Sequence, residues 1–222
     1  DPRYMSIRSW LKTGDLYGAD FCYRQLPLKL DPFDEKTFKE NPLEFYVVCT
    51  DVHTGKPVYH LCEKGDEKDT QWMRASASMP LASKPVSIDG YELLDGGISD
   101  SIPIQWFRRK GFKKNIVILT RPKGYRKKKS SAIPIMKAVM KKYPHLVRAM
   151  ERRHLIYNKT LDYLKKLEKE GEVFLMQPDK NISVKRTERD PKKLVKLYGE
   201  GRRDCLRQLD EIREFLYGPF RS

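Results

Sequence analysis

The chain has 222 residues, of which 39% are hydrophobic and 34% charged, and its 11% aromatic content excludes a wholly disordered polypeptide. No apolar run approaches the ~20 residues a membrane-spanning helix needs, and the opening DPRYMSIRSW has neither the form of a signal peptide nor an initiator Met, as expected of a piece of a longer polypeptide. The formal net charge of +15 is unevenly placed: residues 1–106 carry 12 basic and 17 acidic side chains, residues 107–170 carry 21 and 4, and residues 171–222 carry 12 and 9.

Residues 3–12 and 19–29 read as loop and short helix anchored by Trp10, Leu11, Leu16, Tyr17, Phe21 and Leu26. Asp34 is placed to cap a short helix containing Phe38. The β-forming run at 43–51, LEFYVVCTD, predicts a buried strand, and a turn at Thr54-Gly55 leads to a second. Residues 69–80, DTQWMRASASMP, predict a helix stopped by Pro80. PVSIDGYELLDGG predicts a tight hairpin turning at Asp89-Gly90. NIVILT at 115–120 predicts another buried strand, and KGYRKKKSS at 123–131 a basic loop.

Ile133, Met136, Val139, Met140 and Tyr143 follow helical spacing. Leu146, Val147 and Met150 continue it after Pro144, and Leu161, Leu164 and Leu167 extend it to a stop at Gly171. A strand is expected at 172–178. Asp190-Pro191 then starts a last helix carrying Leu194, Leu197, Tyr198, Leu206, Leu209, Ile212 and Leu216. Strands alternating with helices indicate an α/β sheet.

Cys22, Cys49, Cys62 and Cys205 form no C-x-x-C pair and read as reduced core residues, which fits a cytoplasmic setting. The four histidines show no ligand spacing, so neither metal nor cofactor is expected. The basic stretch 107–170 reads first as a solvated helix face and loop. Its sharper reading is peripheral docking on an anionic membrane, with Tyr125, Met136 and Met140 near the interface. Nucleic acid is the weakest option, because charge alone supports it.

The stretch at 92–103, ELLDGGISDSIP, carries the chemistry. Asp95 ends an apolar run, and Gly96 and Gly97 follow with no side chain to crowd it. Together with RASASMP at 74–80, the hairpin, Ile102-Pro103, the strand at 115–120 and LYGEGRRDCLRQLDEIREFL near the end, this order resembles the bacterial patatin-like phospholipase family. The resemblance covers nearly the whole chain, most strongly residues 69–120 and 190–217. It implies a patatin-like three-layer sheet with flanking helices, in a single domain over 1–222 with 121–171 as a basic helical insertion. It also implies a lipid acyl hydrolase acting on a lipid or ester through a Ser–Asp dyad without histidine. In that family the aspartate is that of D-G-[GA], here Asp95 with Gly96 and Gly97. The serine lies in G-x-S-x-G, and a glycine-rich loop forms the oxyanion hole.

Neither of the last two motifs occurs in residues 1–222. Both are expected before residue 1, with the chain starting just after the nucleophile helix. The 222 residues alone are then expected to be inactive, with exposed sheet edges. Ser76 and Ser78 lack a glycine elbow and read as small residues at a crowded helix end. Asp89 is assigned to the hairpin turn and Asp100 to a cap or loop. The competing function is a non-catalytic basic module binding anionic membrane or nucleic acid.

Overall fold

The computed structural model describes residues 2–178, 184 and 188–218. Its elements are α1 (Ile7–Thr13), a π-helix (Phe21–Leu30), α2 (Glu35–Glu40), β1 (Phe45–Asp51), β2 (Pro57–Cys62), α3 (Glu67–Ser76), β3 (Val86–Ile88), β4 (Tyr91–Asp95), a 3-10 turn (Gly96–Ile98), α4 (Ile104–Arg109), β5 (Asn115–Ile118), α5 (Ile133–Val139), α6 (Pro144–Lys169), β6 (Val173–Met176), α7 (Pro191–Arg207) and α8 (Leu209–Tyr217). Two compact units emerge: Asp1–Ile102 with Lys128–Tyr157, and Pro103–Lys127 with Asn158–Ser222.

In the first unit four strands pair antiparallel in the order β2-β1-β4-β3. The β1–β2 hairpin turns where Gly55 adopts φ +65°. The β3–β4 hairpin turns at Asp89 (φ 49°) and Gly90 (φ 78°), two successive left-handed residues, as the favoured two-residue hairpin turn requires. Asp34 caps α2 as expected, accepting from the Thr37 amide, and two further caps appear: Ser6 accepts from the Ser9 amide and Asp66 from the Asp69 amide.

Alternation along β4 sends Leu93 and Leu94 into different clusters, and both are fully buried. Leu93 packs with Val47, Cys49, Cys62, Trp72, Ala75 and Val86, so α3 covers its side. Leu94 packs with Val52 just after β1, Ile98 of the DGG turn, Ile133 and Met136 of α5, Tyr143 just before α6, and Leu146 and Met150 of α6. Each such leucine contributes roughly 1.5–3 kcal/mol of burial. This two-sided packing fixes the end of β4, where Asp95 sits.

The second unit pairs β5 with β6 in parallel, Asn115 opposite Val173 through Ile118 opposite Met176. Leu164, Leu167, Val173, Leu175 and Ile212 are buried. The expectation of a buried strand at 115–120 is corrected: Ile116 is 37% and Ile118 72% exposed. Among the described residues β5 has a strand on one side only, and α7 buries no residue of its own. Two boundaries also move. α3 ends at Ser76 rather than at Pro80, because the Ala77 and Ser78 amides close back onto Arg74 and Ala75. The last helix breaks at Gln208, whose amide turns onto the Cys205 carbonyl. Among the described residues no helix is long and apolar enough to cross a membrane.

Candidate functional site around Asp95

The strand pairing sets Asp95 opposite Cys49 at the end of β4. Its backbone is held from two directions: the amide donates to the Ser78 carbonyl at 2.8 Å, and the carbonyl accepts from the Thr50 hydroxyl at 2.9 Å. The side chain is half-buried. Oδ1 accepts the Gly97 amide at 2.6 Å, so the turn role available to any Asx residue is filled by one oxygen. Among the described residues Oδ2 accepts no hydrogen bond. Burial raises the Asp95 carboxyl above the ordinary aspartate value, against the opposing pull of the Gly97 amide and the Arg153 charge. The facing Cys49 thiol is fully buried and is pushed up to about 12 by burial, then by Asp95 and Cys62.

Both glycines of the motif are there for room, not for a left-handed backbone. A Cβ at Gly96 would lie 2.1 Å from the Val48 carbonyl oxygen, so only glycine passes β1 at this point. A Cβ at Gly97 would lie 3.0 Å from Asp95 Oδ1 and 3.2 Å from Arg153 Nη2. Arg153, on α6, also donates through Nε to the Gly97 carbonyl at 2.6 Å, and the Ser101 hydroxyl donates to the same oxygen at 2.6 Å. Neither Arg153 nor Ser101 stands out in the sequence, since one lies in a basic run and the other in a polar loop.

The serines near the site serve the fold. The Ser76 hydroxyl donates to the Val48 carbonyl at 2.7 Å, and the buried Ser78 hydroxyl to the Arg74 carbonyl at 2.8 Å. Asp100 accepts from the Tyr59 hydroxyl at 2.6 Å. Asp89 does more than turn the hairpin: it pairs with Lys68 at 2.9 Å and accepts from the Trp72 indole at 3.3 Å.

One cluster was not visible from spacing. His60, Cys62 and Asp69 bring their ligand-type atoms within 4.8 Å of one another. The Asp69 carboxylate is already engaged: Oδ2 accepts the Lys64 and Gly65 amides at 2.8 Å each, and Oδ1 lies 3.2 Å from His60 Nε2. His60 stacks on Trp72 with centroids 4.2 Å apart. The arrangement anchors the β2–α3 loop.

The basic segment needs one correction. Met136 is 1% exposed in the core of the first unit and cannot meet a surface partner. On the same helix the exposed apolar side chains are Ile135 and Val139, one helical turn apart. Separately, in the second unit, a groove of about 800 Å³ is lined by Leu119, Met176, Leu197, Arg203 and Leu206, among others.

Comparison with known proteins accords with this geometry. Residues 143–217 match a family described as "Domain of unknown function (DUF6363)". A stretch of 118 residues is 34% identical to "Uncharacterized protein YjjU" of Escherichia coli (strain K12), covering 51% of this chain and 32% of that protein. The chain thus spans about a third of this relative's length. The part that contains β1 to β4 and the DGG turn matches the family described as "Patatin-like phospholipase" over residues 2–107. Residues 2–107 are therefore similar to the patatin-like phospholipase family.

Proposed function

We propose that this chain is the aspartate-bearing part of a lipid acyl hydrolase working through a Ser–Asp dyad on a patatin-like three-layer sheet. Asp95 is the base, Gly96 and Gly97 shape its turn, and a segment outside these 222 residues supplies the nucleophile and the oxyanion hole. The observation that carries this reading is the half-buried Asp95 carboxylate, fixed through Oδ1 by the Gly97 amide while, among the described residues, Oδ2 takes no hydrogen bond. A serine hydroxyl needs a base within hydrogen-bond reach. An aspartate at the ordinary value of about 4 is a weak one. Burial raises the Asp95 carboxyl and so improves it as a base.

In this mechanism Asp95 takes the serine proton as the oxygen attacks the ester carbonyl. The resulting tetrahedral intermediate expels the alcohol, which recovers the proton from Asp95. Water, deprotonated by the same carboxylate, then attacks the acyl-serine, and the departing serine oxygen takes that proton back from Asp95 as the fatty acid is released. Ser76 and Ser78 fit poorly as the nucleophile, since both hydroxyls donate to backbone carbonyls.

The test is fluorophosphonate labelling of the natural full-length polypeptide, read by intact mass. One adduct on a serine outside residues 1–222, lost in Asp95→Asn, is the expected result. Labelling that survives Asp95→Asn undiminished, or an adduct on Ser76 or Ser78, would refute it.

A second reading, compatible with the first, rests on the charge of residues 107–170, 21 basic against 4 acidic. This stretch docks peripherally on anionic membrane, with Lys128 and Lys129 exposed in the loop and Ile135 and Val139 exposed on α5, all in the first unit. Sedimentation with phosphatidylserine-containing vesicles should exceed that with phosphatidylcholine alone and fall with added salt. Equal or tighter binding to duplex DNA at the same salt would favour the nucleic-acid alternative instead.

A further inference from the structure

Arg153 lies within the stretch matched by the domain of unknown function, yet it closes on the DGG turn of the patatin-like segment. Both residues belong to the same compact unit. Its Nε–H donates to the Gly97 carbonyl at 2.6 Å, while the Gly97 amide donates to Asp95 Oδ1 at 2.6 Å. One residue thus links the guanidinium to the carboxylate through both of its backbone polar groups.

The missing side chain of Gly97 opens the direct path as well. The point where a Cβ would sit is 3.0 Å from Asp95 Oδ1 and 3.2 Å from Arg153 Nη2. The two charged groups are therefore no more than about 6 Å apart, inside the range where an opposite charge favours an ionised carboxylate.

We propose that Arg153 is a positioning residue for Asp95: it pins the Gly97 carbonyl and, across the space left by the glycine, keeps the Asp95 carboxylate ionised. The function of the early part of the stretch matched by the domain of unknown function is then to complete the aspartate's environment. The need for such a group follows from the site itself. Burial alone favours the neutral acid, which cannot accept a proton, and the compensating charge comes from α6. Among the described residues the Cys49 thiol on β1 also faces Asp95, and at about 12 it stays neutral over the relevant range.

The catalytic meaning of this assignment rests on the hydrolase reading, but its test does not. The Asp95 carboxyl carbon is followed by NMR against pH in this chain, in wild type, Arg153→Met and Arg153→Lys. The midpoint should rise in Arg153→Met and return toward the wild-type value in Arg153→Lys, which restores the charge. In wild type the Arg153 Nε resonance should move at the Asp95 midpoint, a measurement that needs no variant to fold. An unchanged Asp95 midpoint in folded Arg153→Met would overturn the proposal, as would an Arg153 resonance indifferent to Asp95 titration. In the full-length enzyme, the acid limb of the pH–rate profile should move up in Arg153→Met. Were the enzyme inactive for want of a dyad, the NMR result would stand unaffected, so the two failures are separable.

Discussion

Replacing Gly96 by alanine tests whether the DGG motif is a packing requirement. The added methyl would sit 2.1 Å from the Val48 oxygen, 2.4 Å from its carbon and 2.8 Å from its Cβ. An ordinary carbon–oxygen approach is ~3.3 Å or more, so one partner must retreat by about 1 Å. Val48 is poorly placed to yield. Its strand pairs with β2 over six positions and with β4 over three, and its carbonyl already accepts the Ser76 hydroxyl. Nor can the turn yield cheaply, because Ile98 just beyond it is fixed in the core and the Asp95 amide is tied to Ser78. Overpacking of this kind costs about 1–3 kcal/mol, and the absence of a soft neighbour puts Gly96→Ala at the upper end, near 3 kcal/mol. At roughly 2–4 °C per kcal/mol for a chain of this size, melting of the first unit should drop by about 6–12 °C. Urea and thermal unfolding read by the fluorescence of Trp72, with Trp10 and Trp106 replaced by phenylalanine, would follow that unit. A loss below about 0.5 kcal/mol, the ordinary scatter of surface substitutions, would refute the steric argument.

Gly201 gives a control of opposite sign. It lies exposed inside α7 with nothing within 4 Å of a would-be Cβ, so Gly201→Ala should stabilise the second unit by about 1 kcal/mol in urea unfolding. Asp95→Asn should raise stability at neutral pH. The folded carboxyl lies above its unfolded value, so its contribution is complete below about pH 4 and is lost as pH rises through the raised value. The variant's advantage should therefore vanish in melts at pH 3. Asp69→Asn should behave in the reverse sense. Burial pushes the Asp69 carboxyl up, but the Lys64 and Gly65 amides and His60 outweigh it and hold it below the ordinary value. Wild type should then exceed the variant at neutral pH, with the gap closing as pH falls from about 4 through that lowered value.

Local rules made much of the fold readable. Asp89-Gly90 specified its turn because few residues tolerate two consecutive positive φ values, and Asp34, Asp190 and Gly171 marked helix ends for equally local reasons. What failed was non-local. The apolar run of β5 promises burial, but whether a strand is covered depends on what packs over it, and Ile118 remains exposed. Met136 looks like one more methionine in a basic stretch until Leu94 and Ile98 are placed beside it. The site divides in the same way. Asp95, Gly96 and Gly97 are contiguous and legible, whereas Cys49 and Arg153 reach them only through strand register and helix packing. Nothing separates Arg153 from the other basic residues near it until the Gly97 carbonyl is seen 2.6 Å away.

The matched families and the compact units divide this chain at different places, and the difference bears on function. The patatin-like match stops at residue 107 and the domain of unknown function begins at residue 143. The first unit, however, takes in residues 128–157. The reason lies in Leu94 and Ile98: their burial needs Ile133, Met136, Leu146 and Met150, all beyond the patatin-like match. A polypeptide ending at residue 107 would leave that side of β4 and of the DGG turn facing water, and would remove Arg153 as well. The aspartate and its turn are thus written in one matched stretch, while the cover over Leu94 and Ile98 comes from α5 and α6, and the charge beside Asp95 from α6. The α6 helix that helps cover Leu94 and Ile98 also carries the guanidinium that limits the rise of the Asp95 carboxyl.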